Sequence, residues 1–292
     1  VTDFIDFFTT NPNVFLALIA ALSLLVGSFL NVLIYRLPRM IQNEWSQECR
    51  QYLGLKPHPT DIDHLNLYLP LSHCTHCKKG LKPWHNIPVI SYLILLGRCA
   101  YCKVKISLRY PFVELLCCIT SVYAAAHFGC SWQTVGALLF TWIIIGLTFI
   151  DLDYQLLPDQ LTLLLMWIGL LLSIFSIFTS SQDAIYGAVA GYTTFAITQG
   201  IFKFATGKIG MGQGDYKFLA ALGAYLGWQQ LPIIILLASI TCIIFGVTHM
   251  IMKRQWKSVP LPFGPYLAVA GWISLMWGND ILHLYLNEFM MM

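Results

Sequence analysis

Residues 115–150 read LLCCITSVYAAAHFGCSWQTVGALLFTWIIIGLTFI, without one Asp, Glu, Lys or Arg, and end directly against Asp151. A helix needs about 20 consecutive apolar residues to cross a hydrocarbon layer about 30 Å thick, because each residue rises about 1.5 Å. The stretch therefore holds two crossings, broken at His127-Phe-Gly-Cys-Ser-Trp-Gln133. Outward from it, residues 13–35 carry no charge and 160–182 and 184–202 read as single spans. Residues 218–252 fit two if the chain breaks at Gly227-Trp-Gln-Gln-Leu-Pro232, and 258–279 supply the last. That makes about eight spans, the sixth short.

Composition agrees. Of 292 residues, 57% are hydrophobic and 11% charged, against about 25% charged in a soluble domain. A formal charge of +3, from 17 basic and 14 acidic residues, is too small for phosphate-backbone binding, so no nucleic acid partner is expected. Asp3 and Asp6 stand where a signal peptide would be basic, so the first span is expected to stay.

Lys and Arg accumulate in cytoplasmic loops. Threading eight spans puts 11 basic residues in 36–110, then Lys203, Lys208 and Lys217, then Lys253, Arg254 and Lys257, and none on the opposite side. Residues 36–110, Asp151 and Asp215 are thus expected on the cytoplasmic face. The organisation read from this is 1–35 (N-terminus and first transmembrane helix), 36–110 (a cytoplasmic domain) and 111–292 (a seven-helix transmembrane domain). So small a domain tends to need a metal or disulfides for stability.

Cys74-Thr-His-Cys77 and Cys99-Ala-Tyr-Cys102 supply two C-x-x-C pairs, the spacing that lets four thiolates close on one tetrahedral Zn²⁺. Disulfides are the alternative, disfavoured in a reducing compartment. His73 and His76 stand beside the first pair as substitute ligands. The expected fold class is an all-α integral membrane protein with a small zinc-stapled cytoplasmic domain inserted between helices 1 and 2.

Two acidic constellations carry the chemistry. In Phe149-Ile-Asp151-Leu-Asp153-Tyr-Gln-Leu-Leu-Pro158-Asp159, Asp153 and Asp159 read as solvated, Asp159 capping the fourth helix, whereas Asp151 lies nearest the hydrocarbon. An ionisable group there points to function. In Gly210-Met-Gly212-Gln-Gly214-Asp215-Tyr-Lys217, just ahead of the short sixth span, Asp215 is a second carboxylate at matching depth; the plainer reading makes it a helix cap or the partner of Lys217. Two carboxylates brought together do not both ionise readily, so one can activate water while the other donates a proton.

With Gly27-Ser-Phe-Leu-Asn31-Val-Leu-Ile-Tyr-Arg36-Leu-Pro38, the paired C-x-x-C segment, Asp151-x6-Pro158 and the G-x-G-D ending at Asp215, the chain resembles bacterial type IV prepilin peptidases, the leader peptidase/N-methyltransferases of the G-x-G-D aspartic protease class. The resemblance implies a bifunctional enzyme of the bacterial inner membrane that cleaves the leaders of type IV prepilins or type II secretion pseudopilins. It implies that the enzyme then N-methylates the new N-terminal residue from S-adenosylmethionine. It carries the catalytic roles onto Asp151 and Asp215 and metal ligation onto Cys74, Cys77, Cys99 and Cys102. No G-x-G-x-x-G loop marks a donor site, and Gly97-Arg98 reads as a turn before Cys99. Asn31 reads as a helix-packing residue, or else as a contact for the substrate leader, whose basic charge Asp153 or Asp159 would meet more readily. A proton-coupled transporter using Asp151 and Asp215 as proton carriers is the alternative.

Overall fold

The computed structural model describes residues 2–55, 66–69, 71–74, 76–253 and 261–290. Arg254, Lys257 and the first three residues expected in the last span lie outside the described residues. Helix dominates, and two isolated bridges, His73–Gly80 and Arg98–Lys105, are the only β pairing among the described residues. Helices stand at the eight expected places: α2 (Pro12–Tyr52), α4 (Arg109–Phe128), α5 (Trp132–Tyr154), α6 (Asp159–Ile174), α7 (Ser181–Thr206), α8 (Gln213–Leu226), α9 (Leu231–Lys253) and α10 (Gly264–Met290), with α1 (Thr2–Thr10) and α3 (Ile90–Ile94) shorter still. Four helical stretches, α2, α4, α5 and Trp228–Met252, are long and apolar enough to cross a membrane, and α6 is a shorter apolar helix.

Both expected breaks occur where glycine takes up positive φ. Gly129 (+64°) ends α4 and Gly227 (+89°) ends α8, conformations that an L side chain resists. Ser131 then caps α5, its side chain accepting the Thr134 amide.

The chain forms two compact units, Val1–Cys130 and Ser131–Met292. In the first, α2 is 41 residues, about 60 Å, and so runs on through Pro38 well past the charge boundary at Arg36. It packs on α4 so closely that a Cβ on Gly27 would lie 2.8 Å from Glu114 Cα. Buried Asn31 donates through Nδ2 to the Tyr110 carbonyl at 3.1 Å and the Gly27 carbonyl at 3.3 Å. Of the two readings of Asn31, the helix-packing one describes these contacts.

In the second unit, α8 is the core helix. At 14 residues it is about 21 Å long, too short to cross the hydrocarbon, and Phe218–Leu226 are all buried. It packs against α6 and α7. A Cβ on Gly187 would fall 2.1 Å from the Gly223 carbonyl oxygen, and one on Gly191 2.6 Å from that of Leu219. The two backbones touch through a Gly-x-x-x-Gly face of α7, the small-residue packing favoured where lipid supplies no hydrophobic drive between helices. Tyr225 Oη donates to the Gly136 carbonyl at 2.8 Å and Trp272 Nε1 to Thr141 Oγ1 at 3.2 Å, tying α8 and α10 to α5. Gly187→Leu is therefore expected to destabilise the protein by about 3 kcal/mol or more, read as a fall of several degrees in the thermal unfolding midpoint in detergent. A midpoint equal to wild type would contradict the backbone contact.

Candidate active site and metal centre

Asp151 lies in the last turn of α5, which ends at Tyr154. Gln155, left-handed at φ 50°, donates its amide to the Asp151 carbonyl and turns the chain out of the helix. Leu157 is buried and Pro158 is the N-cap of α6, without a side-chain capping bond. Asp159 thus does not cap the fourth transmembrane helix. It begins that helix and pairs with Lys217 Nζ at 2.6 Å, from a half-exposed position. Asp153 is exposed, as expected.

Asp215 sits in the first turn of α8, whose N-cap is Gly212. The G-x-G-D segment therefore opens a helix instead of preceding one, and the Gly212 amide lies near the Asp215 carboxylate. That leaves Asp215 neither the cap nor the partner of Lys217. The loop ahead of it is fixed by Gln199 of α7, whose Oε1 accepts the amides of Gly210 and Met211, both at 3.1 Å.

Asp151 and Asp215 are 5% and 9% exposed and close enough to interact electrostatically. Leu157 holds them together. A Cβ on Gly214, beside Asp215, would lie 2.8 Å from Leu157 Cβ, and one on Gly264 would lie 3.0 Å from Leu157 Cδ2. Gly264 is the first residue of α10, and its amide donates to Asp151 Oδ2 at 3.0 Å. A Cβ there would meet that same oxygen at 2.7 Å. Sequence reasoning missed Gly264. The Pro262-Phe-Gly-Pro265 helix start was its one visible signal.

In the other unit, the two knuckles fold alike. The Cys74 amide donates to the Lys79 carbonyl and the Cys99 amide to that of Val104, while the amides of Lys78 and Lys103 return to the carbonyls of Cys74 and Cys99. Lys78 and Lys103 take φ of 58° and 59°. The sulfurs of Cys74, Cys77, Cys99 and Cys102 lie within 4.8 Å of one another, and all four are free thiols. A tetrahedron of Zn–S bonds of about 2.3 Å has edges of about 3.8 Å, and Cys74 and Cys102 Sγ are 3.8 Å apart. The backbone amides of Cys102 and Tyr101 pull the Cys99 thiol down to about 6, while burial and the neighbouring thiols hold Cys102 up at about 11, so that without a cation the cluster does not carry four thiolates. The donor set thus fits a zinc ion. Neither His73 nor His76 belongs to the cluster, and His73 Nδ1 instead faces the Leu71 carbonyl at 3.0 Å.

Comparison with known proteins places the two units in one lineage. The bacterial peptidase A24 N-terminal domain matches residues 21–128 and the type IV leader peptidase family matches 138–247. The prepilin leader peptidase/N-methyltransferases of Stutzerimonas stutzeri and Pseudomonas aeruginosa are each 48% identical to the chain, covering 97% of it and 98% and 97% of their own lengths. That of Neisseria gonorrhoeae is 44% identical over 90% of both. No solved structure matches. The transporter alternative finds no support in these relatives. Full-length identity at this level, joined to a buried aspartate pair and a four-cysteine cluster, means that the chain belongs to the type IV leader peptidase family.

Proposed function

We propose that this chain is a bifunctional membrane enzyme that cleaves the leaders of prepilins by aspartic proteolysis and N-methylates the residue so exposed. The observation that carries the proteolytic half is the juxtaposition of buried Asp151 and Asp215 around Leu157. The Gly264 amide aimed at Asp151 Oδ2 favours leaving that oxygen unprotonated, which suits Asp151 to activate water. Asp215 then holds the proton. Water forms the new C–O bond to the scissile carbonyl as Asp151 takes its proton; Asp215 donates toward the carbonyl oxygen, and a proton passes to the leaving amine as the C–N bond breaks. Burial excludes bulk water from the pair and strengthens each of these interactions.

Cys74, Cys77, Cys99 and Cys102 would hold a structural zinc ion, which would brace a segment too small to bury a sufficient core. S-adenosylmethionine supplies the methyl group when bound. To accept that group the pilin's new α-amine would have to be in its neutral form. We place the protein in the bacterial inner membrane with residues 36–110, Asp151 and Asp215 facing the cytoplasm, on the sorting of Lys and Arg. Type II secretion pseudopilins, whose apolar helix would lie in the same lipid, are included as substrates.

Purified protein in lipid, given a prepilin and S-adenosylmethionine labelled in its methyl group, should release the leader first and then label the shortened pilin. Label on uncut prepilin, or no cleavage, would overturn the reading. Within this reading, Gly264→Ala drives a methyl group against Asp151 Oδ2. We expect kcat for cleavage to fall about 10²-fold, the loss that a misplacement near 1 Å brings, with KM for prepilin within about threefold of wild type. An unchanged kcat would mean that the amide does not position Asp151.

A further inference from the structure

Residues 64–113 contain Lys78, Lys79, Lys82, Arg98, Lys103, Lys105 and Arg109 and not one Asp or Glu. Six of those seven cations are exposed, Arg109 being half-buried. The same segment leaves Trp84, Ile87, Ile90, Leu93, Ile94 and Leu96 exposed, the last three at 65%, 74% and 84%. Helix α3 sorts its residues by face. Ile90, Leu93 and Ile94 stand at i, i+3 and i+4 and share the outer side. Tyr92 and Leu95 turn inward to line a cavity within the unit, where Tyr92 Oη donates to the Ile106 carbonyl at 3.4 Å.

A hydrogen bond sets the depth of this patch. The amide of Val89, the residue before α3, donates to Glu114 Oε2 at 2.8 Å, and Glu114 borders the charge-free run that starts at residue 115. Helix α3 therefore begins at the level where α4 enters lipid. Leu108, the N-cap of α4, belongs to that level as well. With Phe112, Leu115 and Ile119 it forms an exposed row at spacings of four, three and four, so the face that α4 gives to lipid continues to the end of the helix.

A contiguous apolar patch exposed to water marks an interaction surface. At headgroup depth, such side chains can enter the acyl boundary while Lys and Arg beside them stay among the headgroups. Trp84 joins the two features, with Lys82 Nζ 5.2 Å from its ring centroid, and tryptophan is itself favoured at this level of a bilayer. A second copy of the chain fits the face poorly, because symmetric pairing would set the same cations against one another.

We infer that Trp84–Leu96 is seated in the lipid interface, its apolar side chains in the acyl boundary and the surrounding Lys and Arg on anionic headgroups. The segment carrying the knuckles is then a membrane-surface unit, fastened by this patch as well as by α2 and α4. The inference needs only that α2 and α4 span the membrane, and neither proposed activity.

The test is electron paramagnetic resonance on the full chain, one copy per nanodisc, with single spin labels carried by a ketone-bearing amino acid so that the native cysteines stay untouched. Collision of each label with oxygen, which dissolves in lipid, is compared with collision with a water-soluble nickel chelate. A label at Tyr52 ends α2 about 24 Å past Arg36 and reports water, and one at Ile119 reports lipid. Labels at Leu93 and Ile94 are expected to show an oxygen-to-nickel ratio at least fivefold above that at Tyr52 and to approach that at Ile119. Discs of phosphatidylcholine and phosphatidylglycerol in about equal parts should raise the ratio about twofold over phosphatidylcholine alone, a gain lost at high salt. In the unaltered protein, a carbene reagent dissolved in the lipid should modify Leu93–Leu96 and leave Gln51–Leu55 untouched. A ratio at Leu93 and Ile94 equal to that at Tyr52 means that water covers the face, and shielding from both reagents means that protein covers it; either overturns the inference, as does a carbene that spares Leu93–Leu96. A ratio indifferent to lipid charge overturns the role given to the basic residues.

Discussion

Asp151→Asn and Asp215→Asn are each expected to lower prepilin cleavage by about 10³-fold or more, because residues that act as one unit lose nearly everything when either is removed. The amide is close to the carboxyl group in size, so each variant keeps the packing around Leu157 while losing the ability to exchange a proton. The double variant should be little worse than either single one. Non-additivity of this kind is what a shared proton predicts, whereas two independent contributions would multiply. Methylation of pre-cleaved pilin is expected to survive in all three, since both aspartates belong to the Ser131–Met292 unit and the cysteine cluster to the other. Cleavage within tenfold of wild type in either single variant would remove that residue from the mechanism.

Much of this arrangement was legible in the chain itself, and what was not has particular causes. Charge-free runs reported where lipid surrounds the helices, and the breaks at Gly129 and Gly227 follow from the backbone freedom of glycine. Charge marks the membrane boundary, however, and not the end of a helix. For that reason α2 passes Arg36 and Pro38 without stopping and runs to Tyr52, and α10 continues past residue 279 to Met290. The residues of the short sixth span are apolar enough for a membrane crossing, but its helix is only 14 residues long. They are apolar because α6 and α7 enclose them, a distinction that needs the Gly187–Gly223 contact. Asp151 and Asp215 stood out through their depth beside apolar runs. Gly264 did not, because its part in the site is played by a backbone amide, which any residue possesses; only the absence of a Cβ sets it apart. The exchange of partners that gives Asp159 to Lys217 joins positions 58 apart and lies beyond any local pattern.

Replacing Cys74 by Ser is expected to take the protein from one zinc per chain to essentially none and to abolish methylation, with cleavage falling by less than about tenfold. A structural zinc contributes about 10 kcal/mol or more to the fold of a small domain, and the segment it would brace has little else. Among the described residues between Ser72 and Ser107 the regular structure consists of one 3-10 turn, Pro83–Asn86, the five-residue α3 and the two isolated bridges. Three thiolates leave a coordination position open to water and forfeit the closed tetrahedron on which structural sites depend. Loss of the ion would release the two knuckles, and with them the unit on which the proposed transfer depends. The proposed proteolytic site draws on α5, α8 and α10, none of which contributes a cysteine to the cluster. Chelation should reproduce the result on unaltered protein: a strong zinc chelator stops methylation, and added zinc restores it. Wild-type protein stripped of metal that still methylates at its original rate would show that the four cysteines serve neither the fold nor the transfer.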